Sequence, residues 1–374
     1  MLKNGNATPH RDLGGAVRPL VSILIPAFDA QEWIGDTITS AVGQTWPRKE
    51  VIVVDDGSRD HTLSIARQFA SKEVSVVTQA HQGAAAARNH ALSLCQGDYI
   101  QWLDADDLLA PDKIARQMAA VDQRACTRTL LSAAWGRFMY RVHRAAFVPT
   151  PLWCDLSPVE WLLRKMDQDL YMQTATWLVS HELTDAAGPW DTRLLGDDDG
   201  EYFCRVLMAS NGTRFVPEAR VFYRRSGFSS LSYIGRSEPK MEAQFASMQL
   251  HIGYLRSLED SQRVRGACVK YLQTWLPTFY PERPDLVKQA EELAASLGGR
   301  LDVPPRLTWK YALIRKGFGW PLTKRAQIFL RRRRVSIVRS WDKALSRFDG
   351  PNLAGECGTN PRANVDQHDG ETWR

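Results

Sequence analysis

Long apolar runs are missing from this chain: no uninterrupted stretch reaches about twenty residues, so no segment reads as a bilayer-spanning helix. The first nineteen residues carry Lys3, Asn4, Asn6, His10, Arg11 and Asp12 where a secretory leader would need an apolar core, which argues against export. Cysteine is sparse and scattered. Cys95, Cys126, Cys154, Cys204, Cys268 and Cys357 include no C-x-x-C pair and have no histidine at metal spacing, so neither a zinc site nor a disulfide framework is indicated. A reducing compartment fits best, and the expectation is a cytoplasmic protein, soluble or peripheral on the cytoplasmic face of a membrane.

What is present is a globular composition, 44% hydrophobic over 374 residues, enough for one large domain and a smaller appendage. Val21 to Ile25 is continuously apolar and β-branched, as in a strand buried on both faces of a parallel sheet. Asp29 and Glu32 have capping-box spacing, and Trp33, Ile34, Ile38, Ala41 and Val42 then recur at helical intervals. The alternation continues with a strand over Val51 to Val54, a helix from Thr62 to Ala70, a strand over Val74 to Val77, an alanine-rich helix ending at Leu94 and a strand over Tyr99 to Leu103. Such a rhythm predicts an α/β fold, Rossmann-like, with a mostly parallel sheet covered by helices on both faces. Beyond Thr150 the periodicity is mixed. From about Lys240 it becomes helical again, with Met248, His251, Ile252 and Leu255 and then Val287, Ala290 and Leu293 at helical intervals, read as a separate helical appendage. The expected division is an N-terminal tail over 1–19, a catalytic domain over 20–238, a basic helical region over 239–349 and a disordered tail over 350–374, where Gly, Asn, Asp and Pro leave little to bury.

In open α/β sheets ligands bind beyond the carboxyl ends of the strands, and two acidic clusters fall there: Asp55-Asp56 after one strand and Asp104-Ala105-Asp106-Asp107 after another. Converging carboxylates repel one another unless a cation or hydrogen-bond donors compensate, so a hard divalent ion is a reasonable occupant, and such an ion would attract a diphosphate. Either cluster alone could be a turn or a local cap. A dinucleotide-dependent dehydrogenase would need G-x-G-x-x-G where this chain has Pro26-Ala27-Phe28-Asp29-Ala30, and a nucleotidyltransferase would need a glycine-rich basic loop at the same place.

The string Val21-Ser-Ile-Leu-Ile-Pro-Ala-Phe-Asp29, then Gln44-Thr45, Val53-Val54-Asp55-Asp56-Gly57-Ser58, Gly83 to Arg88-Asn89, Gly97-Asp98-Tyr99-Ile100, Leu103-Asp104-Ala105-Asp106-Asp107 and Gly188-Pro189-Trp190-Asp191 resembles family 2 glycosyltransferases of the GT-A fold. The resemblance covers roughly residues 20 to 230. It implies that Pro26, Phe28, Asp55 and Asp56 line a nucleoside pocket and that Arg88 stands near the nucleotide, although a helix-surface arginine is an equal reading of that position. It also implies that Asp104 and Asp106 form the D-x-D motif, engaging the ribose and a divalent metal, Mn or Mg, on the diphosphate of a nucleotide-sugar donor. There the metal would stabilise the departing nucleoside diphosphate.

The segment Gly196-Asp197-Asp198-Asp199-Gly200-Glu201 resembles the family's Glu-Asp motif before a helix and makes Asp199 the general base, with Asp198 as fallback because three acids in a row leave the register open. Without the resemblance the same acids are a favourable helix start, and Glu201 to Arg205 an i,i+4 pair. Attack opposite the nucleotide would invert the anomeric configuration. The Gln-x-x-Arg-Trp signature of processive synthases is absent, so one sugar per encounter is expected, in cell-surface polysaccharide or glycolipid assembly, on a glycan or lipid-linked acceptor. The competing reading is a non-catalytic nucleotide-sugar-binding or scaffold protein.

The net charge of +6 is concentrated between Arg300 and Arg347, where basic residues far outnumber Asp302 and Asp342. Trp309, Tyr311, Phe318 and Trp320 interleave with Lys310, Arg315, Lys316, Lys324 and Arg325 ahead of the Arg331 to Arg334 cluster. This pattern suits a solvated face whose apolar side packs inward or, as the sharper alternative, an anionic membrane surface. No nucleic-acid-binding module is recognisable, and no nucleic-acid partner is expected.

Overall fold

The computed structural model describes residues 18–121, 128–226, 234, 237–304, 326, 329–330 and 332–349. The expected region 1–19 lies outside the described residues except for 18 and 19. The tail 350–374 and the whole aromatic-basic stretch from Trp309 to Arg325 also lie outside them.

The chain runs β1 (Val21–Ala27), α1 (Ile34–Val42), β2 (Lys49–Asp55), α2 (Thr62–Arg67), β3 (Val74–Thr78), α3 (Ala84–Leu94) and β4 (Tyr99–Trp102), the alternation expected from the sequence. All seven residues of β1 are buried, because β1 is central and helices cover both faces of its sheet. It pairs in parallel with β2, Ala27 opposite Asp55, and with β4, Leu24 opposite Trp102. The chain moves outward from β1 to β2 and β3, then returns to place β4 on the other flank of β1. That reversal is a topological switch point, and it opens a crevice at the carboxyl ends of β1, β2 and β4.

The mixed region resolves into β5 (Leu108–Leu109), α4 (Lys113–Ala119), β6 (Thr129–Phe138), β7 (Ala146–Phe147), α5 (Pro158–Gln168), β8 (Val179–Ser180), α6 (His181–Ala187), α7 (Asp198–Ala209) and β9 (Gly212–Arg224). The short β8 adds an antiparallel edge to β4, completing the order β3-β2-β1-β4-β8. A second sheet, β5-β9-β6-β7, pairs β9 with β6 in parallel and with β5 antiparallel. It takes hold of the chain directly after Asp107, where Leu108 pairs with Phe222.

Three helices close the described body: α8 (Glu238–Leu258), α9 (Gln262–Phe279) and α10 (Pro284–Ser296). On α8, Met241, Phe245, Met248, Ile252 and Leu255 recur at i, i+4, i+7, i+11 and i+14 and are buried, an apolar stripe that must face a core. α8 packs against α5, α7 and α9. Residues from Val21 to Leu301 form one continuous cluster, so the C-terminal helices expected from the sequence share their core with the sheet.

The capping box read from Asp29 and Glu32 does not form. The first helix begins at Ile34, with Trp33 at its cap and no side-chain cap bond. Asp29 sits at φ 46°, and its carboxylate takes hydrogen bonds from the Arg59 backbone and guanidinium, while Glu32 pairs with Lys343 at 2.7 Å. Two distant cations outcompete a local cap.

Candidate active site

Parallel pairing puts the tips of β1, β2 and β4 at one edge, so Phe28, Asp55-Asp56 and Asp104 through Asp107 border the same crevice. Pro26 is buried at the end of β1, while Phe28 is exposed and stacks on His81 with ring centroids 4.1 Å apart. The Arg59 guanidinium lies 5.3 Å from the Phe28 ring.

The two neighbouring aspartates have different roles. Asp56 is saturated: its Oδ1 accepts from Gln79 Nε2 and the Gln82 amide, and its Oδ2 accepts from the Gly83 amide and pairs with His81. It folds the loop after β3 back onto the tip of β2, and Gly57 at φ 72° lets the chain turn beneath that loop. Asp55 is as deeply buried, yet its Oδ1 has no hydrogen-bond partner among the described residues. A buried carboxylate oxygen without a donor is costly.

Arg88 is the joint of the site and not a helix-surface residue. Its guanidinium is buried, donates to Asp198 Oδ2 at 2.6 Å and to Asp104 Oδ1 at 2.8 Å, and lies 4.4 Å from the centroid of the Trp190 ring. Burial alone would lower its pKa, but the charges of Asp198 and Asp104 outweigh burial and raise it. A desolvated cation held by two carboxylates is kept in place, because removing any partner strands a buried charge.

The Asp104-Asp107 turn is held from the second sheet. Asp107 is fully buried; its Oδ1 accepts the Arg224 amide at 2.7 Å and its Oδ2 accepts from Gln173, while Arg224 Nε donates to the Asp106 carbonyl at 2.7 Å. Burial first, and then the charge of Asp104, push the Asp106 carboxyl up to about 6, against the pull of Ser226 and Arg224. No group of three or more His, Cys, Asp or Glu side chains assembles a metal cage among the described residues. Two carboxylates straining against each other at an open edge nevertheless suit an octahedral ion that takes its other ligands from phosphate and water.

The third acidic cluster opens α7. Asp197 adopts a left-handed conformation at φ 56°, and its Oδ2 accepts from Ser247 at 2.8 Å and Gln244 at 3.4 Å, both on α8. Asp198 is taken by Arg88, which offsets the upward push of burial on its carboxyl. Asp199 accepts the Gly200 amide and a 3.2 Å bond from the Thr174 hydroxyl. Burial, then the charges of Asp198 and Asp197, push Asp199 up to about 6. Gln173 and Thr174 therefore connect Asp107 with Asp199, side by side on one short turn.

Residues 22–169 match the family model described as Glycosyl transferase family 2. This segment is a family 2 glycosyltransferase domain. Over 112 residues the chain is 39% identical to TuaG of Bacillus subtilis, named as a candidate teichuronic acid biosynthesis glycosyltransferase, covering 29% of this chain and 44% of that one. Over 100 residues the chain is 38% identical to WfaP of Escherichia coli, named a UDP-Glc:alpha-D-GlcNAc-diphosphoundecaprenol beta-1,3-glucosyltransferase, covering 26% and 40% of the two chains. The chain thus matches less than half the length of these relatives. The glycosyltransferase domain and its flanking helices also resemble the S. aureus TarS 1-349 structure solved with UDP. That similarity has a TM-score of 0.54 at 17% identity over 74% of this chain and 87% of that one, a likeness of fold alone.

Arg224, His81 and Gln173 were not singled out from the sequence, and Asp197 was read only as one of three acids in a row. His81 could have been, since it follows a strand at the same edge as Asp55. Arg224 carried no local signal: its contact with Asp107 spans 117 positions.

Proposed function

We propose that this protein transfers one sugar from a nucleoside-diphosphate sugar to an acceptor hydroxyl, with inversion at the anomeric carbon. The observation that carries the reading is the bridge from Asp104 through Arg88 to Asp198, which ties the D-x-D turn to the acids opening α7 within one crevice. The relatives and neighbours named above favour a uridine nucleotide, with the base against Phe28 and Pro26 and its N–H received by Asp55 Oδ1.

In this reading Asp104 and Asp106 hold the ribose and a divalent cation, Mn or Mg, on the diphosphate. Once bound, such an ion would neutralise charge that grows on the departing oxygen. Asp199 takes the proton of the acceptor hydroxyl as that oxygen bonds to the anomeric carbon. The bond to the β-phosphate oxygen breaks, and its electron pair leaves with the nucleoside diphosphate. Asp198, already paired, is the positioning partner that keeps Arg88 between the two clusters. The WfaP name favours a lipid-linked diphosphate acceptor, which would bring the protein to a membrane surface in cell-surface glycan assembly. Among the described residues no helix is long and apolar enough to cross a membrane.

The test is nucleotide release from a panel of uridine, guanosine, thymidine and cytidine sugar donors with Mn2+. One donor class should turn over, and Asp106→Asn should lower that turnover by roughly two orders of magnitude or more. Undiminished turnover in Asp106→Asn would remove the D-x-D role.

A further inference from the structure

Residues 332–346 are helical and lie against the crevice edge of the molecule. Lys343 Nζ meets Glu32 Oε1 at 2.7 Å on the loop after β1, and Asp342 takes Arg141 Nε at 2.7 Å and the Tyr140 amide at 2.9 Å beyond β6. Arg339 donates to the Tyr140 hydroxyl and to the Ser226 carbonyl just past β9. The half-buried positions of this helix are 335, 339, 342 and 346, recurring at i, i+4, i+7 and i+11. One face is therefore the docking face, made of Val335, Arg339, Asp342 and Ser346.

The opposite face is apolar and open. Leu330, Ile337, Trp341 and Leu345 recur at i, i+7, i+11 and i+15, and Phe348 continues their line in the turn that follows. All five are exposed, Trp341 by 67% and Phe348 by 86%. Arg334 falls within this stripe, and Arg333 and Arg347 lie along its border. The acids of the segment, Asp342 and Asp349, are both on the docked side, half-buried against Arg141. A helix that turns leucine, isoleucine, tryptophan and phenylalanine outward in one stripe exposes an apolar surface that a solvated helix would not.

We propose that this face is an interfacial anchor for an anionic lipid surface, with the apolar stripe entering the headgroup boundary and the bordering arginines meeting lipid phosphates. Because the helix docks on the loop after β1, anchoring would bring the crevice against the bilayer. The purpose of that orientation rests on the lipid-linked acceptor proposed above, but the binding itself does not.

Flotation of the full-length protein with vesicles of phosphatidylcholine alone, or of phosphatidylcholine mixed equally with phosphatidylglycerol, tests it. The protein should float with the anionic vesicles and not with the neutral ones, and salt should weaken the binding. A Trp341→Glu/Phe348→Glu double variant should bind at least roughly tenfold more weakly with an unchanged thermal midpoint. An Arg333→Glu/Arg347→Glu variant should also lose preference for anionic vesicles. Nucleotide release from soluble donor should be the same in all three proteins, which separates this proposal from the assignment of the reaction. Failure to float, or flotation undiminished by Trp341→Glu/Phe348→Glu, overturns it. So does a dimer that the double variant turns into a monomer without vesicle binding, which would make the partner a second copy. A midpoint lowered by several degrees without vesicle binding would mean that another part of the chain covers the face, and overturns it as well.

Discussion

Asp198 and Asp199 are adjacent in sequence and sit in different electrostatic situations. Asp198 has a guanidinium on Oδ2 at 2.6 Å, whereas Asp199 has on its Oδ2 only a hydroxyl at 3.2 Å. A carboxyl pushed up to about 6 is mostly ionised at neutral pH and still basic enough to accept a proton from an attacking hydroxyl. As the general base, Asp199 should give kcat/KM an ascending limb that levels off above about pH 6, and Asp199→Asn should cost about 10²- to 10⁴-fold and leave only the limb set by Asp106, whose carboxyl is pushed up to about 6 as well. Stability should move the other way. The folded protein binds the Asp199 proton more tightly than the unfolded chain, so the stabilisation from this group is full below the ordinary value of 3.8 and is lost as pH rises through about 6. At pH 8, Asp199→Asn should therefore be more stable than the parent, on the order of 1 kcal/mol, in urea titrations. An Asn variant that is both active and less stable would end this assignment.

At the scale of elements, α7 presents its acids correctly only because α8 holds its first turn. Ser247 donates to Asp197, whose left-handed conformation sets where Asp198 and Asp199 begin, and Tyr254 donates to Glu201 one turn further along. Ser247→Ala should cost about 1–2 kcal/mol of stability by denaturant titration and lower kcat several-fold with little change in KM, since the donor site is not touched. A change confined to KM would argue that α8 shapes the donor pocket instead. The stripe of Met248, Ile252 and Leu255 is legible in the sequence alone, because amphipathic spacing says that a face is buried. What that face packs against is not legible in the spacing, since α8 meets α5, α7 and α9. Asp29 and Glu32 show the reverse failure, a sound local pattern displaced by Arg59 and Lys343. The parallel sheet and its acidic edge were legible because both follow from strand spacing. The Arg88 bridge was not, since it needs α3, the tip of β4 and the start of α7 brought together.

For the whole molecule, the arrangement of acids predicts how metal and nucleotide depend on each other. The crevice offers Asp104, one of whose oxygens belongs to Arg88, and Asp106, whose ionisation is opposed by burial and by its neighbour. Two such ligands do not hold a divalent ion well by themselves, and Mg2+ or Mn2+ sites of this kind are completed by substrate phosphates and water. Mn2+ should therefore bind weakly to the protein alone and roughly tenfold to a hundredfold more tightly once a nucleoside diphosphate is present, a coupling that linkage makes reciprocal. Titrating the free Mn2+ paramagnetic signal with and without UDP measures one direction, and calorimetry of UDP with and without Mn2+ measures the other. The two factors must agree, and Asp106→Asn should collapse both toward one while leaving the unfolding midpoint near that of the parent or above it. Equal Mn2+ affinity with and without nucleotide would mean that the ion, if used, is held elsewhere, and the D-x-D turn would then be left with the ribose alone.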